Sequence, residues 1–132
     1  MSTAASDFRA AIERRDRDGM IATLADDVVL HSPVSFKPFE GKEAVAGLFE
    51  ILLRTFEDFR YTDELAAAGA HALVFRASVG EREIEGIDLL RFDGEGLIAE
   101  FTVLLRPLSG LVPFAQAMAE RVAAAGLEPT RS

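Results

Sequence analysis

The amino-acid sequence predicts an α+β fold in which a curved antiparallel sheet wraps around one long helix. Three observations carry this prediction. Residues 42–56 repeat apolar side chains at steps of three and four, the spacing of one helical face. Residues 82–106 hold two segments rich in branched and aromatic residues, joined through Asp93-Gly94 as in an antiparallel hairpin. Helical segments come first and most strand segments later, which favours α+β over a parallel doubly wound sheet.

The first third of the chain is predicted to begin with two helices. The first covers about residues 6–17, with Ser6 or Asp7 as its cap. The second is short and carries the apolar residues of the segment 20–24. Two adjacent acids, Asp26 and Asp27, follow and are interpreted as the end of this helix.

A strand and a loop come next. Residues 28–31 are apolar and branched up to a histidine, and the strand is expected to end at Pro33. Residues 33–41 contain two prolines and two phenylalanines without a period, which predicts a loop. We expect its aromatic residues to form a rim over a pocket.

The remaining elements complete a single domain spanning residues 1–132. The helix at 42–56 is expected to cross the concave face of the sheet. Two further strands, at 59–65 and 71–79, precede the hairpin. A C-terminal helix over residues 111–125 is expected to stop at Gly126.

Asp88 is the unusual residue of the hairpin. Side chains alternate between the two faces of a strand, so one face of the first arm is apolar apart from this carboxylate. The residues that share this face are Ile84, Gly86, Asp88, Leu90 and Phe92. Strand propensity disfavours aspartate, and burial of an ionised group is costly. The interpretation is therefore either a functional acid with a raised pKa or a structural acid paired with a nearby donor.

Composition excludes several functions. The 132 residues carry a net charge of −8, spread along the chain, which disfavours nucleic acid as a partner. The absence of cysteine excludes thiolate metal sites and thiol nucleophiles, and two histidines, His31 and His71, are too few for a histidine-rich metal centre. We expect no metal, no cofactor and no membrane span, and no signal peptide is apparent, so the expected location is cytoplasmic.

Four segments together resemble the SnoaL-like group of the nuclear transport factor 2-like (NTF2-like) superfamily, over about residues 8–105. They are Leu24-Ala-Asp-Asp27, Phe39-Glu-Gly-Lys-Glu-Ala-Val45, Gly86-Ile-Asp-Leu-Leu-Arg-Phe-Asp93 and Gly96-Leu-Ile-Ala-Glu100. The group includes polyketide cyclases, ketosteroid isomerases and limonene epoxide hydrolase. The resemblance implies a cone-shaped α+β barrel with a deep pocket, commonly a homodimer through the outer face of the sheet. It implies a small apolar molecule as the partner.

The resemblance also implies roles for particular residues. Asp88 is similar to the isomerase aspartate that stays protonated and donates a hydrogen bond to the developing enolate. The position of the isomerase base is Ser32, so the neighbouring His31 is the candidate base. The oxyanion tyrosine is matched by Phe8, and Gly86 stands where the epoxide hydrolase has its arginine. In the family geometry the pocket is lined or covered by Phe8, Ser32, Phe36, Phe39, Leu52, Phe56, Phe75, Leu90, Phe101 and Leu105.

Three functions stay open at this point. The first is an isomerase, cyclase or dehydratase that acts by proton transfer on an apolar carbonyl compound, with Asp88 as acid. The second is a non-catalytic ligand-binding or dimerisation module of the same fold. The third is a protein-binding adaptor, which would need an exposed apolar patch.

Overall fold

The computed structural model describes residues 3–127. In chain order the elements are α1 (Ala4–Arg14), α2 (Arg17–Ala22), β1 (Leu24–His31), β2 (Phe39–Glu40), α3 (Lys42–Thr55), β3 (Glu57–Ala67), β4 (Ala70–Val79), β5 (Arg82–Phe92), β6 (Ile98–Arg106) and α4 (Leu108–Ala124). This order confirms the predicted α+β class.

The strands form one curved, open sheet in the order β2-β1-β6-β5-β4-β3. Neighbouring strands from β3 to β6 are antiparallel, as the sequence predicts. The pair β1 and β6 is parallel, with Leu30 opposite Phe101. The chain can return to β6 in this direction because β2, α3, β3, β4 and β5 together form the long connection between the two strands.

The inner face of the sheet is covered by helices with apolar stripes. Helix α3 buries Val45, Leu48 and Phe49, as its period predicts. It also buries Ile51, whereas Leu52 and Leu53 of the predicted stripe are only partly buried. A cluster of three aromatic rings joins α1, α3 and β6. Its members, Phe8, Phe49 and Phe101, have ring centroids 5.1–5.5 Å apart at tilted or edge-on angles, which is a favourable geometry for aromatic pairs.

The C-terminal helix α4 closes the core on the other side of α3. Phe114 stacks on Phe56 of the α3 C-cap, with ring centroids 5.2 Å apart and planes 11° apart. Gly110 lies directly against the backbone of β5, at a point where a Cβ would meet Ile84. A side chain at this position would push α4 away from the sheet.

Element boundaries differ from the sequence prediction in several places. The N-cap of α1 is Thr3, whose hydroxyl accepts from the Ser6 amide, so the helix starts earlier than expected. Asp26 and Asp27 are exposed residues inside β1 rather than a helix end. Helix α4 begins at Leu108, before the predicted start at 111, and the short strand β2 forms within the predicted loop.

Candidate functional site

Asp88 lies on the inner face of β5, near the middle of the sheet. The strand alternates as the sequence predicts, since Ile84, Gly86 and Leu90 are buried on the same side. In the sheet register Asp88 stands between Leu73 of β4 and Val103 of β6. Its exposed fraction is 6%. The carboxyl group is therefore removed from water and has apolar neighbours on both adjacent strands.

The hydroxyl of Tyr61 donates a hydrogen bond to Oδ2 of Asp88 at 3.0 Å. Tyr61 is on β3, two strands away in the sheet, and is itself buried. Within residues 3–127 it is the one hydrogen-bond partner of the Asp88 carboxyl group. Sequence analysis missed this residue. The signal that could have found it is a single tyrosine in the chain, placed two residues after Phe59 on one face of a strand.

Burial raises the pKa of Asp88 to about 7, and the hydrogen bond from Tyr61 opposes the rise because it stabilises the carboxylate. The pKa of Tyr61 is raised well above its usual value, first by burial and then by the nearby negative charge of Asp88. The phenol therefore keeps its proton at neutral pH and remains a donor. Near neutral pH the acid is present in both protonation states, which suits a group that accepts and returns a proton.

A small apolar cavity adjoins this pair. Its volume is about 30 Å³, and its wall is formed by Phe8, Ile12, Phe49, Leu52, Leu53, Phe56, Phe59, Tyr61, Asp88, Phe101 and Val103. Four residues of the predicted pocket are in this wall: Phe8, Leu52, Phe56 and Phe101. Pockets for small organic ligands measure roughly 300–1,000 Å³. In this conformation the space beside Asp88 is about the size of one water molecule and too small for an organic ligand.

Three other predicted pocket residues lie in the surrounding core. Phe75 and Leu90 are almost fully buried, and Leu105 is partly buried against the same core. Phe75 stacks on Phe59 of the cavity wall, with ring centroids 4.8 Å apart. Phe75 therefore supports the wall from behind.

Three further residues of the predicted pocket lie away from Asp88. Ser32 and Phe39 line a separate groove of about 380 Å³ between the loop after β1, α3 and α4. Phe36, expected at the rim, is fully exposed to solvent. The reason is geometric: residues 32–38 run along the α4 side of α3, whereas the Asp88 cavity is walled by α1, the last turns of α3, and β3.

The structure places His31 on the opposite face of the sheet from Asp88. Along β1, Val28 and Leu30 are fully buried on the inner face, so strand alternation turns His31 outward. On that face its Nε2 is 3.7 Å from Oε2 of Glu100, and its side chain is 38% exposed. The predicted role as base to Asp88 is therefore not supported by the geometry, because the sheet separates the two side chains.

Within residues 3–127, no group of three or more His, Asp or Glu side chains is arranged to hold a metal ion. None of the helices formed by these residues is both long and apolar enough to cross a bilayer.

The curved open sheet and the helix that crosses it define an NTF2-like α+β fold. The model of the SnoaL-like domain family matches residues 5–101, which is most of the chain. The chain therefore belongs to the SnoaL-like family. Helix α4 lies outside the matched residues.

Solved structures with the same fold include an enzyme and a ligand complex. A steroid delta-isomerase from Pseudomonas aeruginosa is 38% identical with a TM-score of 0.87, over 95% of this chain and 93% of that chain. An uncharacterised protein with a cystatin-like fold from Silicibacter pomeroyi is 28% identical with a TM-score of 0.89, over 96% and 89% of the two chains. A Mycobacterium tuberculosis protein in complex with estradiol-17β-hemisuccinate is 23% identical with a TM-score of 0.63, over 81% and 93%.

Proposed function

We propose that this protein binds a small, largely apolar, carbonyl-bearing molecule beside Asp88 and catalyses proton transfer on it, as in isomerisation, cyclisation or dehydration. The observation that carries the proposal is the Asp88 carboxyl group, which is buried in the wall of an apolar hollow. A buried acid without a cationic partner is costly to retain, and such groups cluster at functional sites.

The chemistry follows from the two protonation states of Asp88. The carboxylate takes a proton from the carbon α to the carbonyl, and the resulting acid returns it to the same or a conjugated carbon. Because the pKa of Asp88 is raised to about 7, both protonation states that this cycle needs are populated at neutral pH. Tyr61 keeps Oδ2 engaged through its hydrogen bond, which directs the other carboxyl oxygen to the substrate. The carbonyl oxygen of a substrate held against this apolar wall would be shielded from water.

Similarity supports the same class of reaction. The steroid delta-isomerase from Pseudomonas aeruginosa shares 38% identity over nearly the full length of both chains. A bound steroid derivative in the more distant Mycobacterium tuberculosis protein shows that the fold accepts a large apolar ligand. We therefore propose a fused-ring or similarly bulky ketone as the first substrate to test.

Binding of such a ligand requires the cavity wall to open. The present volume of about 30 Å³ is roughly a tenth of what a small organic ligand fills. Leu52, Leu53 and Phe59 are the partly buried members of the wall, and they lie where α3 meets β3. Movement of the last turn of α3 would enlarge the hollow at this edge without disturbing the sheet.

The test is turnover of a β,γ-unsaturated ketosteroid, followed by the ultraviolet absorbance of the conjugated product, with estradiol-17β-hemisuccinate as the binding probe. Asp88→Asn should lower kcat by about 10²–10⁴-fold while the fold is retained. The matched control is Asp27→Asn, at an exposed site on β1, which should leave turnover unchanged. Equal turnover of wild type and Asp88→Asn, or no turnover by the wild type on any ketone tried, would overturn the catalytic proposal.

A second candidate is favoured by the size of the cavity. A nearly filled hollow is what a non-catalytic module would have, with Asp88 satisfied by Tyr61 as a structural pair. In that case the outer face of the sheet is the surface that binds a partner. It carries Leu104, which is 52% exposed, in a shallow groove with Val74 and Ile87. We propose that this face pairs with a second copy of the chain, and Leu104→Arg should then convert a dimer to a monomer in sedimentation experiments.

A further inference from the structure

Arg9 of α1 lies over the ring of the tyrosine that bonds Asp88. Its Cζ is 5.6 Å from the centroid of the Tyr61 ring, within the range of a cation–π contact. Arg9 follows Phe8, whose ring is in the cavity wall. The same turn of helix thus contributes one residue to the wall and one to the outer side of the Tyr61 ring.

Arg9 is itself anchored to the strand that carries Tyr61. Its Nη1 donates to Oε1 of Glu64 at 3.1 Å. A weaker ion pair to Glu13 on its own helix has Nε 3.7 Å from Oε1. The side chains of Arg9 and Glu64 are 31% and 29% exposed, so this pair is more shielded than a fully solvated surface pair. The planar guanidinium is suited to stacking and bonding at the same time.

The strand changes its register between Tyr61 and Glu64. In β3 the pairing with β4 shifts between Tyr61 and Asp63, which marks an irregularity in the ladder. Such irregularities re-aim side chains and weaken local pairing. The Arg9–Glu64 ion pair bridges from α1 to β3 just beyond this point. The rings of Phe59 and Phe75 lie edge-on to the Tyr61 ring, with centroid distances of 5.0 and 6.3 Å and interplanar angles near 90°.

We propose that Arg9 is a positioning residue: anchored by Glu64, it holds the Tyr61 ring so that the phenol hydroxyl reaches Oδ2 of Asp88. The importance of this clamp for turnover rests on the proposed function. The clamp itself rests on the contacts of Arg9 with Tyr61 and Glu64. Helix α1 is then part of the site, although the hydrogen-bonded pair Tyr61 and Asp88 lies on β3 and β5.

The alternative is that Arg9 acts only through its charge, and the two cases differ in sign. Within the described residues, the charged groups around Tyr61 are Asp88 on β5, Arg9 and Glu13 on α1, and Glu64 on β3 itself. The parts of α3 and β6 in the cavity wall are apolar. Glu64→Gln removes a negative charge, so a pure field effect lowers the pKa of Asp88. Loss of the clamp weakens the hydrogen bond to the carboxylate and raises that pKa.

The experiment is a carbon-13 NMR titration of the Asp88 carboxyl carbon in the intact protein. Glu64→Gln should raise its pKa by roughly one unit. Glu13→Gln is the matched control: it removes the same charge from the weaker contact on the helix and should leave the pKa unchanged or lower it. Arg9→Met should raise the pKa as Glu64→Gln does, and Arg9→Lys should restore part of the difference because a lysine keeps the ion pair but loses the planar stack.

A double variant tests whether Arg9 acts through Tyr61. If it does, Arg9→Met adds no shift in the pKa of Asp88 once Tyr61→Phe has removed the hydroxyl. A lowered or unchanged pKa in Glu64→Gln, or a further shift in the double variant, would overturn the proposal. The titration requires no substrate, so a protein without turnover can still show the clamp, and an active protein can still lack it.

Discussion

Tyr61 and Asp88 are 27 residues apart in the chain, yet the phenol oxygen of one lies 3.0 Å from a carboxyl oxygen of the other inside the sheet. The two are on strands separated by β4, so their side chains meet by reaching over the inner face of that strand. Each residue shifts the pKa of the other. The negative charge of Asp88 raises the pKa of Tyr61 and helps keep it protonated, whereas the hydrogen bond from Tyr61 limits the rise in the pKa of Asp88.

Asp88 should make the protein less stable as the pH rises towards neutrality. The pKa of Asp88 is about 7 in the folded chain against an ordinary value of 3.8 for an aspartate in the unfolded chain, so the folded state binds the proton more tightly. The stabilisation is fully present below pH 3.8 and is lost as the pH rises through about 7, a change on the order of 4 kcal/mol at 1.36 kcal/mol per unit. Urea unfolding at pH 4.5 and pH 8 should record about 3 kcal/mol of this change, because pH 4.5 already lies above 3.8.

The control for this measurement is Asp88→Asn, which keeps the shape of the side chain and removes the titration. Its free energy of unfolding should change much less between the two pH values than that of wild type. At pH 8 it should be at least as stable as wild type, since no buried charge remains. Parallel pH dependence of the two proteins would contradict the raised pKa.

Tyr61→Phe should weaken the protein mainly at high pH. Loss of a hydrogen bond to a charged acceptor costs about 1.5–3 kcal/mol, whereas the bond to a protonated carboxyl is worth about 0.5–1.5 kcal/mol. The free energy of unfolding at pH 8 relative to pH 4.5 should therefore fall further than in wild type. An equal loss in the free energy of unfolding at both pH values would contradict this prediction, because the hydroxyl would then contribute no more to the charged than to the protonated form of Asp88.

Phe49→Ala should enlarge the cavity beside Asp88 enough to admit a ring. Phe49 is 3% exposed and forms part of the wall. Its truncation should cost about 3–5 kcal/mol in the free energy of unfolding, and benzene should recover part of that loss by filling the apolar void. Phe36→Ala, at a fully exposed site, is the control and should cost less than about 0.5 kcal/mol with no response to benzene.

Gly86→Ala should destabilise the sheet two residues from the acid. An added Cβ would meet Phe75 and lie 2.6 Å from Cδ2 of Leu105 and 2.7 Å from the backbone oxygen of Leu104. Because a paired backbone cannot move aside, we expect a loss of about 1–3 kcal/mol in thermal or urea unfolding. Gly94→Ala has open space in the turn and serves as the control. Equal stability of the two variants would show that the sheet yields at Gly86.

Much of the fold could be predicted because its signals are local. The stripe of α3, the hairpin of β5 and β6, and the inward face of Asp88 all follow from periods of 3.6 and 2 along the chain. The strand β2 was missed because two residues carry no period. The early start of β1 was missed because Asp26 and Asp27 were assigned to a helix end.

The candidate site was predictable only in part. Phe8, Leu52, Phe56 and Phe101 do line the cavity with Asp88, whereas Ser32 and Phe39 face another groove and Phe36 faces solvent. His31 and Asp88 fall on opposite faces because the alternation of β1 is set by its buried neighbours Val28 and Leu30. The side of α3 along which residues 32–38 run depends on how the helices pack, and no local sequence pattern encodes this packing.

By itself the sequence determined that an aspartate would sit among apolar residues on one face of a central strand, since side-chain alternation is a property of the backbone. Only the tertiary structure decided which donor meets that aspartate, how much space remains beside it, and which helix reaches over its partner. These depend on the register between strands and on the packing of α1, α3 and α4, and such contacts join residues that are far apart in the chain.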